Sequence, residues 1–176
     1  MTVVYTIGHS TRPAEAFVAL LTGHGIKTLV DVRTIPRSRH NPQFNGDALS
    51  ATLAAHGIDY VHAPELGGLR KPRKDSVNVG WRNTSFRGYA DYMQTPAFHA
   101  AVDELVSRAE RRPTAIMCAE AVPWRCHRSL VADALMARGI EALEITSETK
   151  ATPHKMTPFA QVDGEEVTYP AEGTLL

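Results

Sequence analysis

The chain has 176 residues, of which 43% are hydrophobic and 22% are charged, and it contains two cysteines. A chain of this length buries one core without disulfides or a metal, which argues against a secreted disulfide scaffold. No apolar run reaches the roughly 18–20 residues that a membrane-spanning helix needs, and the first residues show no charged leader. These features predict a cytoplasmic protein that does not enter a membrane.

The net charge is formally zero, but the charges are distributed unevenly along the chain. Residues 1–90 hold 11 Lys/Arg and 6 Asp/Glu, whereas residues 91–176 hold 8 and 13. Basic residues concentrate in two segments, which contain Arg33, Arg37 and Arg39 and then Arg70, Lys71, Arg73, Lys74, Arg82 and Arg87. Such segments suit an anionic small molecule or a nucleic acid, and a solvated basic surface is the plain alternative.

Strand-like and helix-like segments alternate along the chain. The first strand is predicted over residues 3–7, and Pro13 opens the helix that follows it. Further helices are predicted over about 45–56, 86–93, 95–111 and 127–138, and further strands over 28–33, 60–62, 114–118 and 142–145. Glycine suits the left-handed residue that closes a helix, and Gly25, Gly57 and Gly139 each separate a helix from a strand. Three helix-to-strand passages predict a parallel sheet.

This alternation predicts an α/β fold with an open, mostly parallel five-stranded sheet in the order 3-2-1-4-5 and helices on both faces. The expected architecture is a Rossmann-like three-layer sandwich that lacks a dinucleotide fingerprint or a Walker pattern. Residues 1–150 are predicted to form the domain, and residues 151–176 a tail that either packs on it as a small hairpin or frays. Residues 64–87 have little periodicity and are predicted to form a lid or binding loop.

Ligands of open parallel sheets bind outside the carboxyl ends of the strands, where the strand order reverses. In the predicted order, the loops after strands one and four meet at that point, and the loop after strand two lies alongside. These three loops contain the candidate site residues His9, Ser10, Asp31, Arg33, Ser38, Cys118, Glu120, Arg125, Cys126, His127 and Arg128.

Several short motifs occur in a defined order. They are Ile7-Gly8-His9-Ser10, Val30-Asp31-Val32-Arg33 followed by Pro36 and Ser38, Leu66-Gly67-Gly68, and the segment from Cys118 to Arg128. Together they resemble the prokaryotic family catalogued as domain of unknown function 488, from the first strand to about Ile145. The resemblance implies a common fold and a shared site. It implies no reaction, because the family carries no settled biochemical activity.

The segment from Cys118 to Arg128 is the richest in reactive groups. Cys118 is expected at the end of a strand and Cys126 at the start of a helix, where free N–H groups and the helix dipole lower a thiol pKa and attract anions. Glu120 lies among cations and suits a general acid or base. Its alternative is a structural salt bridge with Arg33 or Arg128.

Three interpretations of the two cysteines stay open. A cysteine at a strand end with an arginine downstream is typical of phosphate-handling and sulfur-transfer enzymes, but Pro123, Trp124 and the lack of glycine argue against a backbone phosphate cradle. A disulfide is a second interpretation. Zinc is the weakest, because no second close Cys or His pair completes a tetrahedral set.

The loops after the first two strands add further candidates. His9 is predicted to take part in catalysis, and Ser10 either contacts the ligand or caps the next helix. Asp31 either orients His9 or pairs with Arg33, and Arg33 suits bidentate binding of an anion. Ser38 is predicted to lie beside the same ligand.

We therefore predict an enzyme that acts on an anionic, nucleotide-like or nucleic-acid-like substrate, with Glu120, Cys118 and His9 as catalytic residues and no bound metal. One alternative is a nucleic-acid-binding or regulatory module without chemistry, which would use the basic loops 37–39 and 70–74. The other is a thiol redox or metal-binding protein that uses Cys118 and Cys126. The sequence specifies no cofactor, substrate or oligomeric state.

Overall fold

The computed structural model describes residues 2–170, and within them the chain folds into a six-stranded sheet, a two-stranded hairpin and five α-helices. The strands are β1 (Val3–Gly8), β2 (Thr28–Asp31), β3 (Asp59–His62), β4 (Thr114–Cys118), β5 (Glu141–Ile145), β6 (Ala151–Pro153), β7 (Gln161–Asp163) and β8 (Glu166–Thr168). The helices are α1 (Ala14–Gly23), α2 (Gly46–Ala54), α3 (Thr84–Tyr92), α4 (Pro96–Arg111) and α5 (Arg128–Ala137). No helix in this part of the chain is long and apolar enough to cross a membrane.

The α/β class and the open, mostly parallel sheet are confirmed, but the order of the strands differs from the expected 3-2-1-4-5. The order is β3-β2-β4-β1-β5-β6, with β1 to β5 parallel and β6 antiparallel at one edge. The strands β1 and β4 have thus exchanged places. All five residues of β4 are buried, which suits the centre of the five parallel strands. The predicted count of five strands omitted β6.

Helices cover both faces of the sheet, as expected for a three-layer α/β fold. On one face α1 and α2 pack on β-strand residues such as Ile7, Leu29 and Met117. On the other face α3, α4 and α5 pack on residues such as Val30 and Ile116. Because neighbouring residues of a strand point to opposite faces, each strand contributes to both cores. These faces are called the α1/α2 face and the α4/α5 face below.

The three predicted helix-to-strand joints are present. Gly25, Gly57 and Gly139 have φ angles of 69°, 71° and 76°, in the left-handed region that favours glycine. Each follows the end of α1, α2 or α5 and directly precedes the residues that lead into a strand. The local rule that closes a helix with glycine therefore explains these joints.

The segment from residue 151 to residue 170 packs on the domain. Its first residues form β6, and β7 and β8 form an antiparallel hairpin. The buried carboxylate of Asp133 in α5 holds this segment, because it accepts hydrogen bonds from Thr157 N–H over 3.1 Å and from the Tyr169 hydroxyl over 2.7 Å, and lies 2.7 Å from His154 Nε2. The part of the predicted tail beyond residue 170 lies outside the described residues.

The long loop after β3 begins with a 3-10 turn, Pro64–Leu66, and residues 67–83 form no helix or strand. Several hydrogen bonds and one cation–π contact hold it to α3. The Tyr89 hydroxyl donates to the Leu66 carbonyl over 2.8 Å, and the Arg70 guanidinium lies 3.7 Å from the centre of the Tyr92 ring. The C-terminal part of the predicted loop is helical, because α3 begins at Thr84.

Candidate functional site

The loops after β1, β2 and β4 meet at the carboxyl edge of the sheet. The backbone N–H of His9 donates to the Cys118 carbonyl over 2.9 Å, and that of Ser10 donates to the Ala119 carbonyl over 3.0 Å. On the other side of β4, the Val32 N–H donates to a β4 carbonyl over 3.0 Å. The exchange of β1 and β4 places β4 between its two partners, so the loop after β4 contacts both other loops.

Gly8 allows the loop after β4 to cross over the end of β1. A Cβ atom at this position would lie 1.7 Å from the Glu120 carbonyl oxygen and 2.9 Å from the Ala121 Cα. Both atoms belong to the backbone, so neither moves aside without shifting the loop. Glycine is therefore required here by close approach of the backbone.

The guanidinium of Arg128 is the centre of a buried polar cluster on the α4/α5 face. Its NH1 donates to Cys118 Sγ over 2.7 Å and to the Glu120 carbonyl. Its NH2 donates to the Ala121 carbonyl over 3.1 Å and to Glu144 Oε2 over 2.8 Å, and its Nε lies 3.3 Å from Glu144 Oε1. A guanidinium has five N–H donors, so all of them are used within the protein.

Glu144 and Thr6 complete this cluster, and neither residue was among the candidates predicted from the sequence. They are paired in register across β5 and β1, and the Thr6 hydroxyl donates to the Glu144 carboxylate. Strand periodicity was the available signal, because each is a polar residue at a core-facing position of a strand. Their proximity to Arg128 depends on the strand order, which the sequence pattern did not predict.

The two cysteines are free, buried and ionise differently. Burial opposes ionisation of Cys118, but the neighbouring Cys126 thiol and the charge and hydrogen bond of Arg128 outweigh it and lower the Cys118 pKa. The neighbouring Cys118 sulfur, together with burial, raises the pKa of Cys126 well above the ordinary thiol range. Cys118 is therefore the more readily ionised thiol of the pair.

His127 connects the loops after β2 and β3 to the cysteine loop. Its Nε2 lies 3.0 Å from the Val32 carbonyl, and its ring packs on Tyr89 with the ring centres 4.9 Å apart. A Cβ atom on Gly68 would lie 3.4 Å from its Nδ1. Burial lowers the pKa of His127, so the ring is neutral around pH 7 and donates from Nε2 to the carbonyl.

A second buried arginine lies at the same edge of the sheet but on the α1/α2 face. Arg33 binds Asp31 with two bonds, Nε to Oδ1 over 2.9 Å and NH2 to Oδ2 over 2.7 Å, and donates to the Phe44 carbonyl over 2.7 Å. The Tyr60 hydroxyl donates to the same carboxylate over 2.6 Å. Of the two roles considered for Asp31, pairing with Arg33 is therefore present.

His9 packs against this second arginine. Its ring stacks on Phe44 with centres 4.3 Å apart, and its Nε2 lies 3.4 Å from Arg33 NH1. Its Nδ1 lies 2.7 Å from the Ser10 carbonyl, which only accepts, so Nδ1 carries the proton. Burial and the Arg33 charge lower the His9 pKa. Ser10 has a φ of 53°, an uncommon conformation for a residue other than glycine, and Pro13 rather than Ser10 precedes α1.

Three other predicted residues lie further from these clusters. The side chains of Glu120 and Arg125 are exposed, and neither forms a salt bridge within residues 2–170. The structural salt bridge considered for Glu120 is thus absent from the described part of the chain, and its carbonyl contacts Arg128 instead. The Ser38 hydroxyl accepts from Asn41 N–H over 3.1 Å and organises the loop after β2.

The two basic segments approach one another at this edge. The Thr34 hydroxyl donates to the Gly68 carbonyl over 3.0 Å, which joins the loop after β2 to the loop after β3. The second segment is partly neutralised, because Arg73 pairs with Asp75 over 3.1 Å on the surface. Arg70 is engaged with the ring of Tyr92.

A cleft of about 700 Å³ opens beside the Arg128 cluster, between α5, β5 and the segment 152–159. Its volume lies within the range of small-molecule sites, roughly 300–1,000 Å³. Arg128, Glu144 and Thr6 line its floor, and Cys118 lies directly behind Arg128. Among residues 2–170, no group of three or more His, Cys, Asp or Glu side chains is arranged to hold a metal ion.

Fold and site together define an α/β domain with a buried thiol–guanidinium pair at the carboxyl edge of its sheet. Residues 13–135 match the family described as domain of unknown function DUF488, and the chain belongs to that family. The match includes the cysteine loop and most of α5, and it leaves residues 1–12 and 136–176 outside. No curated protein and no solved structure matches the chain.

Proposed function

We propose that this protein is an enzyme that acts on a small anionic substrate, with the Cys118 thiolate as its nucleophile. The observation that carries the proposal is the 2.7 Å bond from Arg128 to Cys118 Sγ. A guanidinium against a buried thiol stabilises the thiolate by charge and by hydrogen bonding, and the thiolate is the reactive form. The Glu144 carboxylate pairs with the same guanidinium, with Oε2 2.8 Å from Arg128 NH2.

The remaining residues divide into those that position the thiolate and those that meet the substrate. Arg128 is a positioning residue, because its donors are all engaged. The cations that line the cleft or border it with donors to spare are Arg12, Lys155 and the exposed Arg125. In this proposal the His9 ring does not contact the substrate, because it stacks on Phe44 on the α1/α2 face. Its backbone N–H holds the end of β4 through the Cys118 carbonyl.

The reaction forms a bond from Cys118 Sγ to an electrophilic atom of the substrate. The bond from that atom to the leaving group breaks, and the leaving group takes the electron pair and then a proton from water. Water then cleaves the adduct, with Glu120 as base, and the thiolate is restored. Because Cys118 is only 2% exposed, residues 119–125 must open to admit the substrate, and most of these residues are on the surface.

The proposal is tested by the pH dependence of Cys118 alkylation by iodoacetamide, followed by mass spectrometry in wild type and Cys126→Ser. We expect a midpoint below the ordinary thiol value of about 8.5. Arg128→Met should raise the midpoint and slow alkylation at pH 7 by about tenfold. Arg128→Lys keeps the positive charge and should retain part of the alkylation rate. Arg138→Met, at another arginine with an 8% exposed side chain, is the matched control.

Turnover is tested with p-nitrophenyl phosphate as a simple anionic probe. Cys118→Ser should abolish hydrolysis, whereas Arg138→Met should retain it. A Cys118 midpoint above the ordinary thiol value, or equal hydrolysis by Cys118→Ser and wild type, would contradict the proposal.

A second candidate function is thiol redox chemistry, which the contact of both thiols with Arg128 favours. Arg128 NH1 donates to Cys118 Sγ over 2.7 Å, and the Arg128 backbone N–H donates to Cys126 Sγ over 3.5 Å. A peroxide would oxidise the Cys118 thiolate to a sulfenic acid with release of hydroxide, and the Cys126 thiol would then displace water to form a disulfide. Free-thiol counting after hydrogen peroxide treatment tests this function. Loss of both thiols together, restored by a dithiol, supports it. Stepwise over-oxidation of Cys118 alone contradicts it.

A further inference from the structure

The cleft beside Arg128 has two halves, a floor and an outer side. Its floor is built by Thr6, Arg128 and Glu144 of the sheet and α5. Its outer half is built by residues 152–159, which follow the part of the chain that matches the family. The cleft therefore combines residues inside and outside the matched range 13–135.

The outer half is held in place by buried hydrogen bonds. Asp133 is fully buried and binds the segment at three points, the ring of His154, the Thr157 N–H and the Tyr169 hydroxyl. A second anchor is the buried Asn78, whose side-chain oxygen accepts from the Tyr169 N–H over 2.8 Å. A cleft whose outer side is fixed in this way is preformed, which lowers the entropic cost of binding a ligand.

Positive charge prevails in the cleft. Glu144 is the one carboxylate among the described residues that line it, and Arg128 already pairs with it. Lys155 and Arg12 line the cleft, and neither forms a salt bridge within residues 2–170. The charge left for a ligand to satisfy is thus cationic, which favours an anionic group.

Aromatic side chains supply the second feature. Trp81 and Phe159 both line the cleft and pack edge to face, with ring centres 4.8 Å apart. Trp124 lines it from the cysteine loop and is 73% exposed, an unusual state for so large an apolar side chain. Aromatic surfaces of this kind stack on flat ring systems, whatever the ring's own hydrogen-bonding pattern.

We infer that the cleft binds a mononucleotide, with the phosphate on Lys155 and Arg12 and the base against Phe159, Trp81 or Trp124. The inference rests on the proposed function in one respect, since the nucleotide would be the substrate of the Cys118 site. The volume of about 700 Å³ falls within the range in which small-molecule ligands are enclosed. An anion without a ring would leave the aromatic surfaces uncovered, and a ring without an anion would leave the two cations unpaired.

The experiment measures equilibrium binding to full-length Cys118→Ser by titration calorimetry, so that no reaction takes place. The probes are adenosine monophosphate, uridine monophosphate, adenosine, ribose phosphate and inorganic phosphate. We expect both nucleotides to bind at least about tenfold more tightly than any probe that lacks the ring or the phosphate. A single-stranded oligonucleotide with a terminal phosphate is a further probe. Its affinity relative to the mononucleotides shows whether the cleft prefers a free nucleotide or the end of a nucleic-acid strand.

Two variants with matched controls locate the binding. Phe159→Leu should weaken nucleotide binding by about tenfold and leave ribose phosphate binding unchanged, because the ring contact alone is lost. Phe86→Leu, whose ring also packs on Trp81 but does not line the cleft, is its control. Lys155→Met should weaken all phosphate-bearing probes by about threefold to tenfold, and the exposed Lys150→Met should not.

Ribose phosphate binding as tightly as the nucleotides, or unaltered nucleotide binding in both cleft variants, would overturn the inference. That result leaves the alkylation profile of Cys118 untouched, so it is distinguishable from failure of the proposed function. Conversely, tight nucleotide binding to an enzyme with an unreactive Cys118 would retain the ligand class and reject the nucleophile.

Discussion

Two buried arginines lie at the same edge of the sheet, on opposite faces, and they differ in what they hold. Arg33 bonds to a carboxylate, Asp31, and to the Phe44 carbonyl. Arg128 bonds to a carboxylate, Glu144, and also to the thiol of Cys118. A carboxylate is ionised throughout the neutral range, whereas a thiol is a group whose charge can change there. Arg33 therefore contacts a group whose charge is fixed in the neutral range. Arg128 also contacts Cys118, a thiol whose charge can change.

The two clusters also differ in access. Arg128 lines the 700 Å³ cleft, whereas the Asp31–Arg33 pair is enclosed by Phe44, Tyr60 and His9. Neither Asp31 nor Arg33 lines that cleft, so we assign the pair the role of holding the ends of β1 and β2 in place. We therefore call the α1/α2 face at this edge the supporting face and, following the proposed function, the α4/α5 face the reactive face.

The largest effect is expected on the supporting face. Asp31→Asn leaves the Arg33 cation buried beside a neutral amide, and we expect the free energy of unfolding to fall by about 3 kcal/mol. Urea denaturation measures this change. Asp59→Asn is the matched control, because its pair with Arg112 is exposed, with side-chain exposures of 47% and 64%. The control should lose less than about 1 kcal/mol. Equal losses of unfolding free energy in the two variants would show that the buried Asp31–Arg33 pair stabilises the fold no more than an exposed ion pair does.

A smaller effect is expected on the reactive face. Glu144→Gln removes the fixed counter-ion of Arg128, but the Cys118 thiolate can take over as its partner. We expect a loss of only about 1–2 kcal/mol, together with a further lowering of the Cys118 pKa. Urea denaturation and the pH profile of alkylation measure the two quantities. A rise of the Cys118 pKa instead would show that Glu144 and Cys118 do not compete for the charge of Arg128.

The sequence predicted those features of the fold that depend on local rules. Gly25, Gly57 and Gly139 close helices because a left-handed residue is needed at those points. The meeting of the loops at one edge follows from parallel strands, whose carboxyl ends share that edge whatever their order. For this reason His9 and Cys118 are neighbours although β1 and β4 are exchanged relative to the prediction.

The sequence did not predict the contacts that depend on pairing between distant strands. Thr6 and Glu144 are separated by 138 positions, and only the register of β1 with β5 brings them together. Likewise, the pattern that marks Arg128 as an anion-binding candidate does not show that Glu144 and Cys118 already use its donors. The exposure of Glu120 has a similar origin, because the path of its loop is set by the close approach to Gly8.

The smallest effect is expected from the two buried histidines, one on each side of this edge. Burial lowers the pKa of both His9 and His127. Between pH 7 and pH 6 the unfolded chain therefore takes up protons that the folded chain does not, and stability falls as the pH falls. For an unfolded pKa of about 6.5, each histidine contributes at most about 0.7 kcal/mol over this interval.

His9→Gln and His127→Gln should each flatten this pH dependence, as measured by urea denaturation at pH 7 and pH 6. The exposed His56→Gln is the control for substitution as such. Because His9 and His127 share no hydrogen-bond partner, the two effects should add in the double variant. The double variant could instead flatten the pH dependence no more than His127→Gln alone. That result would mean that protonation of His9 on the α1/α2 face is coupled to protonation of His127 on the cysteine side of the sheet.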